Sequence, residues 1–146
     1  MSYDHSDGGE LVRFSVAMPE ELLMRFDALV ARRGVAKNRS EVVRDLVRDA
    51  LVQEQTGMAG TQVMGTLTIV FNHHESDVQE TLHRIQHAHY GLVVSTTHVH
   101  LDEDTCLEVI ILRGETTDVH LIADMVLGTK GVKHGGLVVT TTSQMV

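Results

Sequence analysis

The sequence predicts an α+β protein of two unlike units, a βαα segment followed by a βαββαβ domain. Three observations predict it. Apolar residues recur at helical spacing twice in the first third, behind one alternating stretch, and after residue 61 alternating and helical runs take turns. Charge divides at the same place: residues 11–54 hold eight Lys/Arg against seven Asp/Glu, and residues 55–146 hold four against ten. Nine of the ten histidines also follow residue 54. The expected divisions are a polar tail over 1–10, a first unit over 11–54, a hinge over 55–61 and a second domain over 62–146.

Residues 1–10 are polar and Gly-containing and are expected to be a disordered tail. From Leu11 to Met18, Val12, Phe14, Val16 and Met18 alternate with Arg13, Ser15 and Ala17, the pattern of one half-buried strand. Pro19 then suits the first position of a helix, with Glu20 and Glu21 in its positive first turn. Leu22, Leu23, Phe26, Leu29 and Val30 give it an apolar face, and Gly34 ends it. Asn38, with Glu41 three residues on, reads as a capping box opening a second helix through Val42, Leu46 and Leu51. One strand and two apolar helix faces cannot close a core. The strand must pair with a strand of another chain, so the first unit is expected to be an obligate dimer with an intermolecular two-stranded ribbon.

The small, polar run Thr56–Thr61 is the expected hinge. Beyond it the pattern reads strand 63–71, helix 75–89, strand 92–101, strand 106–113, helix 117–127 and strand 132–141, with Asp102–Thr105 turning the two middle strands back on each other. That order is the ferredoxin-like, split-βαβ arrangement that ACT-type ligand-binding domains use.

Composition excludes several functions. No run of eighteen apolar residues exists, so no membrane helix is expected, and the N-terminus lacks the charged and apolar regions of a signal peptide. A single cysteine cannot form an internal disulfide, which fits a cytoplasmic location. No phosphate loop, no GxSxG and no Ser/His/Asp spacing is present, so no enzyme is expected. The net charge of −8 disfavours nucleic acid, but the nearly neutral, Arg-rich first unit does not.

The sharpest chemical signal is His98-Val99-His100 followed by Cys106. His98 and His100 project from one face of a strand. The turn brings Cys106 into reach, and a thiolate with imidazoles favours late first-row metals. The alternative is a packed free thiol beside a polar sheet face. Three donors leave a fourth position for water or for His83, His87 or His89 of the preceding helix, and spacing does not choose among them. Glu108 shares the strand face of Cys106 and could hold a ligating imidazole; otherwise it is an exposed cross-strand charge. His73-His74 reads as an exposed loop pair or a secondary metal site, and His120 and His134 as surface residues. Asp102-Glu103-Asp104 reads as a solvated turn rather than a calcium or catalytic cluster. In the first unit, Arg13, Ser15 and Ala17 on a two-fold ribbon fit a DNA major groove, and Arg39 at a helix N-terminus suits a phosphate. The alternative is a dimerisation strand with no DNA role.

Residues 13–51, including Asn38-Arg39-Ser40-Glu41, resemble a ribbon-helix-helix DNA-binding domain. Residues 62–141 resemble the C-terminal domain of the nickel-responsive regulators of the NikR family, most specifically at Gln86-His87-Ala88-His89, His98-Val99-His100, Cys106-Leu107-Glu108 and Lys130–Gly135. The resemblance implies one Ni(II) per subunit in a planar site of His98, His100, Cys106 and His87, the last from a partner chain. It implies a homotetramer, a dimer of dimers, that binds palindromic double-stranded operator DNA through Arg13, Ser15, Ala17 and Arg39. Ala17 departs from the small polar residue the family places there. A cation near helix two would match Glu41 and Asp45. The expected function is nickel-responsive transcriptional regulation, as a repressor of nickel uptake or related genes. The competing readings are a ribbon-helix-helix antitoxin-type repressor, a regulator responding to Cu, Zn or Co, and a metal-dependent enzyme or zinc module.

Overall fold

The computed structural model describes residues 10–34, 37–75 and 77–141. The predicted tail, apart from Glu10, lies outside them. Backbone contacts divide the chain after Arg44 into two units.

α1 spans Glu20–Arg32 with Pro19 as its N-cap in the first unit, and α2 spans Arg39–Thr56, running across the division. The predicted capping box forms: the Glu41 N–H donates to Asn38 Oδ1 at 3.0 Å, and the Asn38 N–H donates to Glu41 Oε2 at 2.9 Å. Gly34 stands at φ +121°, a backbone state that suits glycine as the chain leaves α1. The strand expected over Leu11–Met18 is not a strand within one chain. Leu11, Val12, Phe14 and Val16 are exposed, and α1 buries no residue. The physical reason is that strand hydrogen bonds need a second strand, and the described residues offer none to that segment.

The second unit holds β1 (Gln62–Asn72), α3 (Val78–Ala88), β2 (Val93–His100), β3 (Thr105–Glu115), α4 (Thr116–Leu127) and β4 (Val132–Thr141). All six predicted elements are present. The sheet is antiparallel in the order β2-β3-β1-β4, the split-βαβ topology. Alternate residues of β1 (Val63, Leu67, Ile69, Phe71) and of β3 (Cys106, Ile110, Leu112) are buried in one cluster with Val78, Leu82 and Ile85 of α3 and Val119, Ile122 and Val126 of α4. Gly65 lets α4 come this close, since a Cβ there would stand 2.9 Å from Val119 Cγ1. The opposite face of the sheet carries Met64 and Val70 of β1, Leu107, Val109 and Ile111 of β3, Val99 of β2 and Val138 of β4. No described helix covers it.

The predicted hinge is tied down at both ends. The Thr116 hydroxyl donates to the Thr56 carbonyl at 2.6 Å, and the Thr116 N–H donates to the Thr61 carbonyl at 2.9 Å. The Gly60 N–H donates to Glu115 Oε1 at 2.6 Å, which is the main reason that carboxyl is held below its usual range. Only residues 57–60 are left as an exposed turn.

Candidate metal centre

The β2–β3 hairpin builds the centre. Its register places His100 opposite Cys106 and His98 opposite Glu108, so all four share the helix-facing side of the sheet. Asp102 fixes the turn: its Oδ1 accepts the Asp104 N–H at 2.9 Å and the Thr105 N–H at 2.7 Å. Those backbone donors, Asp104 first, hold its carboxyl below the usual carboxylate range. Asp102 is thus spent on turn geometry, while Asp104 Oδ1 lies 3.0 Å from His74 Nε2.

Cys106 is fully buried in the core cluster. Burial pushes its thiol pKa up, and the charges of Asp102 and Glu108 add to the shift. Its Sγ lies 3.5 Å from His100 Nδ1 and 3.2 Å from His73 Nδ1. The donor atoms of these three residues all lie within 4.8 Å of one another. A sulfur ~2.3 Å and a nitrogen ~2.1 Å from one ion stand ~3.1 Å apart at a right angle and ~3.6 Å apart at a tetrahedral one. The observed separations span that interval, and the soft thiolate with imidazoles suits a late first-row ion such as nickel.

His98 is adjacent but differently engaged. Its ring centroid is 5.0 Å from that of His100 and 5.9 Å from that of Phe71, edge-on. Its Nδ1 is 3.4 Å from Glu108 Oε2. Glu108 is only 8% exposed, so the alternative of an exposed cross-strand charge is overturned. The other Glu108 oxygen accepts from Gln86 Nε2 at 2.7 Å, and Gln86 Oε1 accepts from the Thr96 hydroxyl at 2.7 Å. This chain of bonds fixes the carboxylate beside His98 Nδ1. An open cleft of about 360 Å³ lies over it, lined by His83, Gln86, Thr96, His98 and Glu108 among others.

His87 is exposed on α3, and its ring stacks on His83 at 6.3 Å. It takes no part in the His73–His100–Cys106 group of its own chain. His73 is the residue that the sequence reading undervalued. It was expected to be largely exposed, yet it is half-buried and within ligand distance of Cys106. The cause is β1–β3 pairing: Asn72 lies opposite Thr105, and the His73 N–H donates to the Asp104 carbonyl at 3.0 Å. Its place immediately after a strand whose end pairs with the start of Cys106's own strand is the signal that could have found it.

In the first unit Arg13, Ser15 and Ala17 are exposed. Arg39 makes a two-pronged pair with Asp27, Nε to Oδ1 and Nη2 to Oδ2 both at 2.7 Å. The guanidinium lowers the Asp27 pKa and the carboxylate raises that of Arg39. Asp45 pairs with Arg48 at 3.6 Å, and Glu41 is occupied by the capping box.

Comparison with known proteins follows the same division. Residues 64–140 match the family described as the NikR C-terminal nickel-binding domain, and residues 12–54 match ribbon-helix-helix proteins of the copG family. A protein of Geobacter sp. (strain M21), assigned as a nickel-responsive regulator, is 48% identical over 93% of this chain and 97% of its own length. Relatives assigned likewise in Pyrococcus horikoshii and Pyrococcus furiosus are 45% and 47% identical over 92% of this chain, covering 97% and 96% of theirs.

Proposed function

The chain belongs to the NikR family of nickel-responsive regulators, and from that premise we propose how it carries out the role. It is a DNA-binding regulator whose ribbon-helix-helix unit is governed by nickel held in the second unit. The ligands are His98, His100 and Cys106 of one chain and the partner's His87, one Ni(II) per subunit. The observation that carries this reading is the register that sets His100 against Cys106 and His98 against the buried Glu108.

When bound, nickel would be held by these four side chains and would link one chain to its partner. The remaining work belongs to the protein. Cys106 gives up its proton to solvent to become a ligand. Glu108, braced by Gln86 and Thr96, orients the His98 ring. The cleft over His98 gives a partner's imidazole access to that ring. Two separate self-association surfaces support a homotetramer: the unpaired segment Leu11–Met18 and the apolar sheet face. Each surface used twice about a two-fold axis gives a dimer of dimers. Two ribbons spaced by that core engage a palindromic operator together, gaining avidity without new contacts. Arg13, Ser15 and Ala17 read base edges, and Arg39 reaches phosphate once it leaves Asp27. Glu41 and Asp45, one turn apart on α2, suit a cation. The chain represses nickel uptake or related genes in the cytoplasm and is not an enzyme.

Anaerobic equilibration with Ni(II) followed by absorption spectroscopy tests the site. A thiolate-to-nickel charge-transfer band is expected, lost in Cys106→Ser. Mixing His87→Ala with Cys106→Ser chains is expected to restore part of the band; folded variants that never complement each other would count against a site shared between chains. For the DNA surface, Arg13→Ala is expected to cost about 1–3 kcal/mol and relax specificity at one position of each half-site.

A further inference from the structure

α2 is one unbroken helix of 18 residues, and the division between the two units falls inside it, after Arg44. The chain therefore leaves its first unit as a helix and not as a loose linker. We propose that Thr116 is a positioning residue for this passage: its buried hydroxyl latches the last turn of α2 to the first turn of α4, and through that latch nickel in the second unit sets the placement of the DNA-reading end of the helix. The proposal rests on the reading of the chain as a nickel-governed DNA-binding regulator and adds the joint that couples the two functions.

A helix leaves its last four carbonyls without donors of its own. Past the end of α2 the backbone supplies two of them, the Gly57 N–H to the Gln53 carbonyl and the Met58 N–H to the Gln55 carbonyl, both at 3.2 Å. The Thr56 carbonyl is met instead by a side chain sixty residues away, the Thr116 hydroxyl at 2.6 Å. Thr56 is 6% exposed and Thr116 is 4% exposed, so water cannot readily take either partner's place. The same stretch secures the chain beyond α2, through the Thr116 N–H to the Thr61 carbonyl and the Gly60 N–H to the Glu115 carboxylate. The helix ends also suit each other electrically. The C-terminus of α2 is the negative end of its dipole, and the N-terminus of α4 is a positive one.

The latch lies at one end of the strand that carries the metal-binding thiol. β3 has Cys106 as its second residue, and Thr116 follows its last, Glu115. Both sides of β3 are paired, to β2 and to β1, so the strand is a stiff member between the two points. α4, which Thr116 opens, packs Val119, Ile122 and Val126 into the same buried cluster as Cys106. A contiguous packed route thus runs from the thiol to the carbonyl at the end of α2. Thr116 touches neither metal nor DNA and acts through α2.

The test uses the full chain, Ni(II) as the metal and, as DNA, a double-stranded palindrome selected from a random pool by the nickel-loaded native chain. Thr116→Val keeps the shape and the backbone donor and removes the hydroxyl. Nickel affinity by competition with a chelator is expected to stay within twofold. Nickel-loaded affinity for the palindrome is expected to fall at least tenfold, and the gain in DNA affinity on adding nickel to shrink by the same factor. Thr116→Ser, which keeps the donor, is expected to recover the native gain to within threefold. Backbone hydrogen exchange separates a latch from a folding defect. In Thr116→Val the Gly57 and Met58 N–H groups are expected to exchange at least tenfold faster, with those of β1 and β3 unchanged. A native nickel response in Thr116→Val overturns the proposal, as does a loss that Thr116→Ser does not recover or one accompanied by faster exchange throughout the sheet. A native chain whose DNA affinity ignores nickel would overturn the regulatory reading on which the proposal stands.

Discussion

The two units fail to finish themselves in opposite ways. The second unit buries a continuous two-layer core within one chain and lacks a finished metal site. The first unit forms its helices and their capping box, yet Val42 is the one fully buried hydrophobic residue described between Glu10 and Arg44. Its strand segment and the apolar faces of Leu22 and Met24 stay exposed. One unit waits for a ligand and the other for a core. In the assembly proposed above, further copies of the same chain meet both needs, so that assembly would control DNA reading through folding and metal sensing through coordination.

Mutations should separate the two dependencies. The largest effect is expected from Phe14→Asp, which places a charge on the face that a second ribbon strand must cover. Loss of a buried aromatic contact in each chain costs about 3 kcal/mol or more, so specific operator binding should fall at least a hundredfold in a mobility-shift assay. The second unit should keep its nickel band. Loss of that band would join the units that the comparison divides. Next comes Cys106→Ser, which removes the soft ligand and leaves a hydroxyl in an apolar site. Nickel affinity by competition with a chelator should drop at least a hundredfold, and the second unit should lose about 1–3 kcal/mol of stability to denaturant. Smaller again is Glu108→Gln, which keeps the shape and removes the charge under His98. A tenfold to hundredfold loss of nickel affinity is expected, with the first unit's DNA affinity unchanged once nickel is saturating.

The smallest effect concerns Asp27 and Arg39. The Asp27 carboxyl is held below its ordinary pKa, so its contribution is present above the unfolded value and fades as pH falls through the folded one. Asp27→Asn should remove that acid-side loss from a melting curve. It should also free Arg39 for phosphate, steepening the salt dependence of DNA binding by about one unit per chain that contacts the backbone. A salt slope unchanged in this variant would mean that Arg39 serves α1–α2 packing alone.

Much of the second unit was legible because alternation and helical spacing change cleanly at Gly, Asp and Asn positions. Departures occur where tertiary contacts outweigh local signals. α3 begins at Val78 and not at Glu75, because Asp77 takes a left-handed backbone at φ 72° and defers the first turn. α2 continues to Thr56, past the last apolar residue of the periodic pattern, since Gln53, Glu54 and Gln55 are good helix formers and the Thr56 carbonyl finds a donor in Thr116. The strand at Leu11–Met18 was readable as a need and not as an element, for its partner is another molecule. His100 and Cys106 were legible because their separation along the chain is short. His73, thirty-three residues before Cys106, reaches it only through β1–β3 register, and no local pattern encodes that register.

The turn at residues 57–60 offers a practical opening. Its two ends are fastened to the adjacent residues Glu115 and Thr116, while Gly57, Met58, Ala59 and Gly60 themselves face solvent. Lengthening such a closed turn costs only loop entropy, about 0.6 kcal/mol for each doubling. A short tag or a fluorophore-bearing insertion after Met58 would therefore leave both fastenings in place. It would sit beside the end of α2, where a change in the spacing of neighbouring subunits could be followed by energy transfer without touching a metal ligand or a DNA-facing side chain.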